Sequence, residues 1–341
     1  MPRWKPLLLF TLSLLIISTL LPRSMPPPIR FTPTELSIFK SHTVNNTLTL
    51  IPINTGMLPF ASNLLCSLHK HAPGFPTSKI IFWALDAHAA THLSSHNHTV
   101  YFTKNLFSVP HDSNQRGNTR AYTKMMRERP KFFAALLSTG IDLLMMDADL
   151  VLFGDPMGVI PQDGRVDAVY STDGREFWFD GDAFRDPWRR GGNIPPVGNG
   201  FFWMRGSAKM SGLWREMTRV FEAPWWRVGI WRARVFQDDQ RGMDVLLNDG
   251  RAQLVMPYPG GVGEDQVPVT NGGVRVRLLD QVDVVNGHLL MDRRERYEAL
   301  LDGGSGRRLA AHFNWDTAQV GKEEGARELG MWYLDDNGKC V

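Results

Sequence analysis

The chain is predicted to be an α/β protein, with a mixed, mostly parallel sheet flanked by helices, on three observations. Short apolar runs alternate with amphipathic stretches from about Asn46 onward. Those runs are apolar at successive positions, as strands buried on both faces are. Polar residues stand just beyond several of them, where the carboxyl ends of parallel strands gather ligands.

The elements follow in order. Leu48 to Ile53 (LTLIPI) reads as a first strand, broken at Asn54-Thr55-Gly56. Pro59 to Lys70 has helical spacing, with Leu64, Leu65 and Leu68 on one side. Lys79 to Asp86 (KIIFWALD) is a buried strand, a His- and Ala-rich helix follows, and Val100 to Phe102 is a short third strand. Lys124 to Leu137 reads as a helix interrupted near Pro130, because proline lacks the amide hydrogen the helix needs. Ile141 to Met146 (IDLLMM) is another buried strand, ending at Asp147. Asn54, Asp86 and Asp147 therefore fall at strand carboxyl ends. Gly181 to Gly200 is rich in Gly and Pro and reads as a long irregular loop of functional type. Gly200 to Met204 and Val274 to Leu279 look like strands, and helices are expected near Met210 to Phe221 and Asp238 to Leu247.

A composition 43% hydrophobic and 21% charged describes a folded, core-forming chain of 341 residues. The net charge of +3 and the lack of a basic stripe interleaved with aromatics exclude a nucleic-acid partner as an expectation. Eleven tryptophans suit either core packing or stacking against sugar rings. Arg3 and Lys5 precede an uncharged run from Leu7 to Leu21, closed by Pro22 and Arg23 with no small-residue cleavage signal. The run is shorter than the roughly 20 residues that span an average bilayer, which suits either a cleaved signal peptide or a short anchor in the thinner early-secretory membranes, and the lack of a cleavage signal favours the anchor. The expected organisation is a cytosolic tail over residues 1–6, a signal anchor over 7–21, a Pro-rich stem over 22–46 and a folded lumenal domain over 47–341. That is a single-pass type II protein of the Golgi or ER membrane, and sequons at Asn45 and Asn97 agree with it. Cys66 and Cys340 are the two cysteines, too few for a disulfide scaffold, and Cys66 is expected in a helix core.

The chemistry-bearing stretch is IDLLMMDADLVLFGDP, residues 141–156. Asp147 and Asp149, one residue apart between apolar runs, are costly there unless they are paired or hold a cation. Hard oxygen ligands suit Mg²⁺ or Mn²⁺, and a cation so held can neutralise a departing diphosphate.

This stretch, with DAVYSTD at 167–173, GNGFFWMRGS at 198–207, Asp239-Gln240, VRVRLLDQVDVVNGH at 274–288 and HFNWDTAQVGK at 312–322, resembles the nucleotide-diphospho-sugar transferase family. These are retaining enzymes of the GT-A fold related to plant cell-wall arabinosyl- and xylosyltransferases, and the resemblance covers about residues 47–335. It implies a catalytic domain that takes a nucleoside-diphosphate sugar as donor and a glycan or glycoconjugate as acceptor. It also implies Mn²⁺ (or Mg²⁺) on Asp147, Asp149 and His312, with Lys322 beside the diphosphate. Asn54, Thr55 and Gly56 would meet the nucleoside, with Asp86 and Lys131 as further donor-site candidates. Asn199 and Gly200 would form the acceptor-side turn, and Asp239 and Gln240 would face the anomeric carbon.

Two other readings compete. Asp147-Ala148-Asp149-Leu150-Val151 and Gly181-Asp182 to Asp186 fit the motifs of a haloacid-dehalogenase-like phosphatase, but with little room between them for that fold's cap. A non-catalytic lumenal binding protein on a transferase fold is the other, since fold alone does not carry activity.

Overall fold

The computed structural model describes residues 29–102, 119–162, 164–177, 194–222, 238–254, 273–304, 306–314 and 321–341. In chain order the elements are α1 (Pro33–Ser41), β1 (Thr47–Ile53), α2 (Leu58–His71), β2 (Ile81–Ala84), α3 (Ala87–Ser95), β3 (Thr99–Phe102) and α4 (Thr119–Leu137). Then come β4 (Asp142–Met146), β5 (Leu150–Leu152), β6 (Ala168–Thr172), β7 (Val197–Met204), α5 (Ala208–Glu222), α6 (Asp239–Leu246) and β8 (Ala252–Leu254). The last are β9 (Val274–Leu278), β10 (Val284–Asn286), α7 (Gly287–Asp292), α8 (Arg294–Asp302), β11 (Ala310–His312) and α9 (Lys322–Glu328).

Eight strands form the main sheet in the order β3-β2-β1-β4-β7-β6-β9-β8. All neighbours run parallel except at β7, which lies antiparallel to both β4 and β6. The expected mixed, mostly parallel sheet is the one observed. Its strands are apolar at successive positions because both faces are covered: Leu48, Leu50, Leu143 and Met145 enter the core on one side. Ile51, Ile53, Leu144 and Met146 enter the core on the other. Trp83, Trp203 and Trp214 are fully buried core residues, so at these positions the packing reading of tryptophan holds.

A second sheet, β10-β11-β5, packs against α2, α7 and α8 through Val151, Val285, Ala311, Leu289 and Tyr297. The chain passes from β4 in the large sheet to β5 in the small one across Asp147, Ala148 and Asp149. Ser67 on α2 accepts the Leu152 amide at 3.0 Å and ties the small sheet to the body.

Several local expectations need correction. α4 runs unbroken through Pro130. The packing of Phe132 and Phe133 into the aromatic core with Trp83 offsets the roughly 3 kcal/mol that an interior proline costs. Residues 29–46 are not all stalk: α1 has a capping box on Thr32 and buries Phe39 against Phe31, Tyr101 and Phe132. The loop expected up to Gly200 already becomes strand at Val197, because this segment pairs with β4 and β6; residues 178–193 of that loop lie outside the described residues. Cys66 is buried on α2 as expected but is bonded to Cys340, with Cα atoms 5.5 Å apart and a sequence separation of 274. The anchor expected over residues 7–21 also lies outside the described residues, among which no helix is long and apolar enough to cross a membrane.

Candidate active site

Asp147, Asp149 and His312 come together where the two sheets meet. Asp147 follows β4, and its amide donates to the Gly200 carbonyl of β7 at 2.6 Å. Asp149 opens β5. The antiparallel register sets His312 of β11 opposite Leu150, and the Phe313 amide donates to the Asp149 carbonyl at 3.0 Å. Strand pairing, not sequence proximity, therefore delivers the histidine. His312 Nε2 lies 3.3 Å from Asp149 Oδ1 and 3.6 Å from Asp147 Oδ2. Gly200 makes this possible: a Cβ there would sit 2.0 Å from His312 Cε1 and 2.8 Å from Asp147 Oδ2. Lys322, the first residue of α9, reaches Asp149 Oδ2 at 2.5 Å.

The donor set fits a divalent cation. One ligand atom from each of Asp147, Asp149 and His312 lies within 4.8 Å of the others. His312 is only 5% exposed, and its Nε2 has no hydrogen-bond partner. A buried imidazole nitrogen that faces two carboxylates without an aligned hydrogen bond to either is a polar group that a metal ion between the three would satisfy.

A second cluster stands beside the first. Arg129 on α4 is 4% exposed; its Nε lies 3.1 Å from Asp239 Oδ2, and its Nη1 lies 4.0 Å from Asp147 Oδ1. Arg129 Nη2 also donates to the Asn199 carbonyl at 2.8 Å. Nε and Asp239 Oδ2 attract as charges without an aligned hydrogen bond between them. The Asn199 side chain is buried beside Asp239, and neither its oxygen nor its nitrogen makes an aligned hydrogen bond.

The charges pull these groups in opposite directions. Burial pushes the Asp239 carboxyl up, Asp238 and Asp147 add to the rise, and Arg129 offsets only part of it, leaving Asp239 at about 6. Burial likewise raises Asp147, against the opposing pull of Arg129. Asp147 keeps 30% of its side-chain surface open, so water shares in solvating it. Asp149 behaves differently: burial would raise it, but Lys322 and then His312 outweigh burial and hold it well below the usual carboxylate range. His312 is raised because Asp149 and Asp147 overcome burial and the repulsion of Lys322.

The remaining expected residues divide into groups. Asn54, Thr55 and Asp86 meet at the carboxyl edge of β1 and β2. Thr55 donates to Asp86 through its amide at 2.7 Å and its hydroxyl at 2.6 Å, and Asn54 caps the turn by accepting the Met57 amide at 3.1 Å. Gly56 lies inside that turn. Asp239 and Gln240 open α6, and Gln240 Nε2 donates to Asp173 at 2.6 Å. Asp173 also accepts from Asn314 at 2.8 Å, so Gln240 is linked to the strand-end segment that carries His312. Lys131 is not brought to these residues: it pairs with Glu222 at 2.8 Å and Glu128 at 3.2 Å, tying α4 to α5. Arg129 and Asp173 are the members that sequence reading missed. The signal for Arg129 was present, since a charged residue stands in the stripe Met125, Met126, Phe132, Phe133, Leu136 that α4 turns to the core.

Such a site, a cation cradle at the end of a parallel strand with basic groups beside it, suits an α/β protein that holds a divalent cation together with an anionic ligand. The family model of the nucleotide-diphospho-sugar transferases matches residues 77–324, and the chain belongs to that family. No curated protein matches the chain. Among solved structures it is similar to the bifunctional glycosyltransferase WbbM, at 12% identity and TM-score 0.46, over 80% of this chain and 46% of that one, so it spans about half of that protein's length. It is also similar to the galactosyltransferase LgtC in complex with donor and acceptor sugar analogs, at 14% identity and TM-score 0.44, covering 83% of this chain and 95% of LgtC. Mouse xyloside xylosyltransferase 1 is similar at 12% identity and TM-score 0.41, covering 78% and 97%.

Proposed function

We propose that the enzyme transfers a sugar from a nucleoside-diphosphate donor, a UDP-sugar, to a hydroxyl of a glycan or glycoconjugate, using Mn²⁺ or Mg²⁺. The observation that carries this reading is the convergence of Asp147, Asp149 and the buried Nε2 of His312, which makes no aligned hydrogen bond. These three residues would hold the cation, which when bound supplies positive charge to the diphosphate as it leaves. Lys322 supplies a second positive charge for the diphosphate. In the free protein it neutralises Asp149, so donor binding asks it to share its charge between the two.

Asn54, Thr55, Gly56 and Asp86 stand on the same carboxyl edge of the sheet, where a nucleoside fits a polar turn. The buried amide of Asn199, the Asp239 carboxylate and Arg129 offer polar atoms to the sugar, and Gly200 keeps the cradle open. Gln240, held by Asp173, would face the reacting carbon, and an acceptor hydroxyl would approach from the Asn199–Gly200 side. Retention of the anomeric configuration rests on the family resemblance alone. A lumenal site in the Golgi or ER agrees with the Cys66–Cys340 disulfide, a bond at home in an oxidising compartment.

Calorimetric titration of UDP, with and without Mn²⁺, into wild type and Asp149→Ala tests the reading. Mn²⁺ is expected to strengthen UDP binding at least tenfold in wild type and not in the variant. Equal affinities in all four titrations would overturn it. A panel of UDP- and GDP-sugars scored for metal-dependent hydrolysis identifies the donor.

A further inference from the structure

A second cluster of metal-capable side chains lies away from the aspartates, on α3. His88, His92 and His96 recur every fourth residue, so they share one face of that helix and its end. The rings of His92 and His96 are 4.4 Å apart between centroids, and those of His88 and His92 are 6.5 Å apart. His92, His96 and His98 line a cleft of about 390 Å³ between α2, α3 and the C-terminal segment, which contributes Asn337.

The tautomer of His96 is fixed by its surroundings. Its Nδ1 is 2.8 Å from the His92 carbonyl oxygen, which can only accept. The proton of the neutral ring therefore sits on Nδ1, and the Nε2 lone pair is left for a ligand, the arrangement that prepares a histidine to bind metal. Burial lowers His92 and His98, and neighbouring imidazoles lower both further, which favours the neutral, ligating form of these rings near pH 7. The facing wall is held in place, because Cys340 is bonded to Cys66 of α2.

We infer that this cleft is a second cation site, in which His92 and His96, one helical turn apart, bind a borderline transition metal of the Zn²⁺ class. The two sites divide by ligand hardness. Asp147 and Asp149 offer carboxylate oxygen suited to Mn²⁺ or Mg²⁺, whereas imidazoles one helical turn apart with no carboxylate between them suit Zn²⁺, Ni²⁺ or Cu²⁺.

The test titrates Zn²⁺ into the full chain, carrying no polyhistidine tag, in four forms: wild type, Asp149→Ala, the pair His92→Ala with His96→Ala, and all three substitutions together. Asp149→Ala is expected to keep one equivalent of Zn²⁺. Adding the two histidine substitutions should weaken that equivalent at least tenfold. Co²⁺ gives an independent readout, as a visible absorption band that the histidine variant lacks and Asp149→Ala retains. His92 is half-buried and His96 exposed, so both variants should fold, and matching thermal midpoints without metal verify this. The inference is overturned if Asp149→Ala binds no Zn²⁺, or if the histidine substitutions leave its affinity unchanged.

Discussion

Arg129 and Asp239 form an ion pair in which both side chains are almost wholly buried, 5% and 2% exposed, with Nε 3.1 Å from Oδ2. The same guanidinium leans toward Asp147 and holds the Asn199 carbonyl. One cation on α4 thus compensates two carboxylates and fixes the strand that carries Asn199 and Gly200.

Replacing it leaves two buried carboxylates with less compensation. Arg129→Met is expected to destabilise the fold by about 3–5 kcal/mol, the cost of breaking a buried pair from one side. A second substitution, Asp239→Asn, should restore part of the loss. Urea unfolding of the two single variants and the double variant measures the coupling. An Arg129→Met variant as stable as wild type would show that the guanidinium is not what balances this cluster.

The pH response of Asp239 follows from its sign. A carboxyl raised to about 6 binds its proton more tightly in the folded chain than in the unfolded one. That contribution to stability is full below the ordinary carboxylate value near 4 and is lost as pH rises through about 6. Wild type should therefore lose thermal stability relative to Asp239→Asn between about pH 4 and 6.5. A constant difference in Tm across that window contradicts the shift.

Gly200 is a steric requirement of the cradle. Gly200→Ala places a methyl group where His312 Cε1 and Asp147 Oδ2 now lie, so the histidine or the strand must move. We expect Mn²⁺-dependent UDP affinity to fall at least tenfold, with the Tm lowered by a few degrees. Calorimetry on the variant checks it, and unchanged Mn²⁺ dependence would show that the cradle tolerates the displacement.

Lys131 and Lys322 are separated by their partners. Lys131→Met breaks partly exposed pairs with Glu128 and Glu222 and should cost about 1 kcal/mol or less with donor turnover unchanged. Lys322→Met, which removes a charge from Asp149, should weaken UDP binding. Comparing KM and kcat of the two variants decides which lysine serves the diphosphate.

The disulfide closes a very long loop. Cys66→Ser is expected to lower unfolding free energy by about 2–5 kcal/mol, read from denaturant midpoints against wild type.

The strands were legible because both faces of the main sheet are buried, so runs such as IDLLMM are apolar throughout, and the acidic pair that ends that run stood out against them. The family resemblance brought His312 and Lys322 to attention. Their contact with Asp149 depends on the pairing of β11 with β5 and on the placement of α9, long-range facts that no local pattern carries. Arg129 stood in the core-facing stripe of α4, but its partners Asp239 and Asn199 lie some 70 to 110 residues further along the chain, so its role could not be read locally. The Cys66–Cys340 bond could not be read from two cysteines so far apart. The break expected at Pro130 came from a local rule that aromatic packing overrides.

The passage of the chain from β4 to β5 has a mechanical consequence. The first aspartate belongs to the large sheet, while the second and the histidine belong to the small one, so ion occupancy and the docking of these two layers are thermodynamically linked. Loosening the small layer anywhere along its contacts, even at the Ser67 hydroxyl, would spread the ligands apart, and a captured ion would in turn resist that spreading.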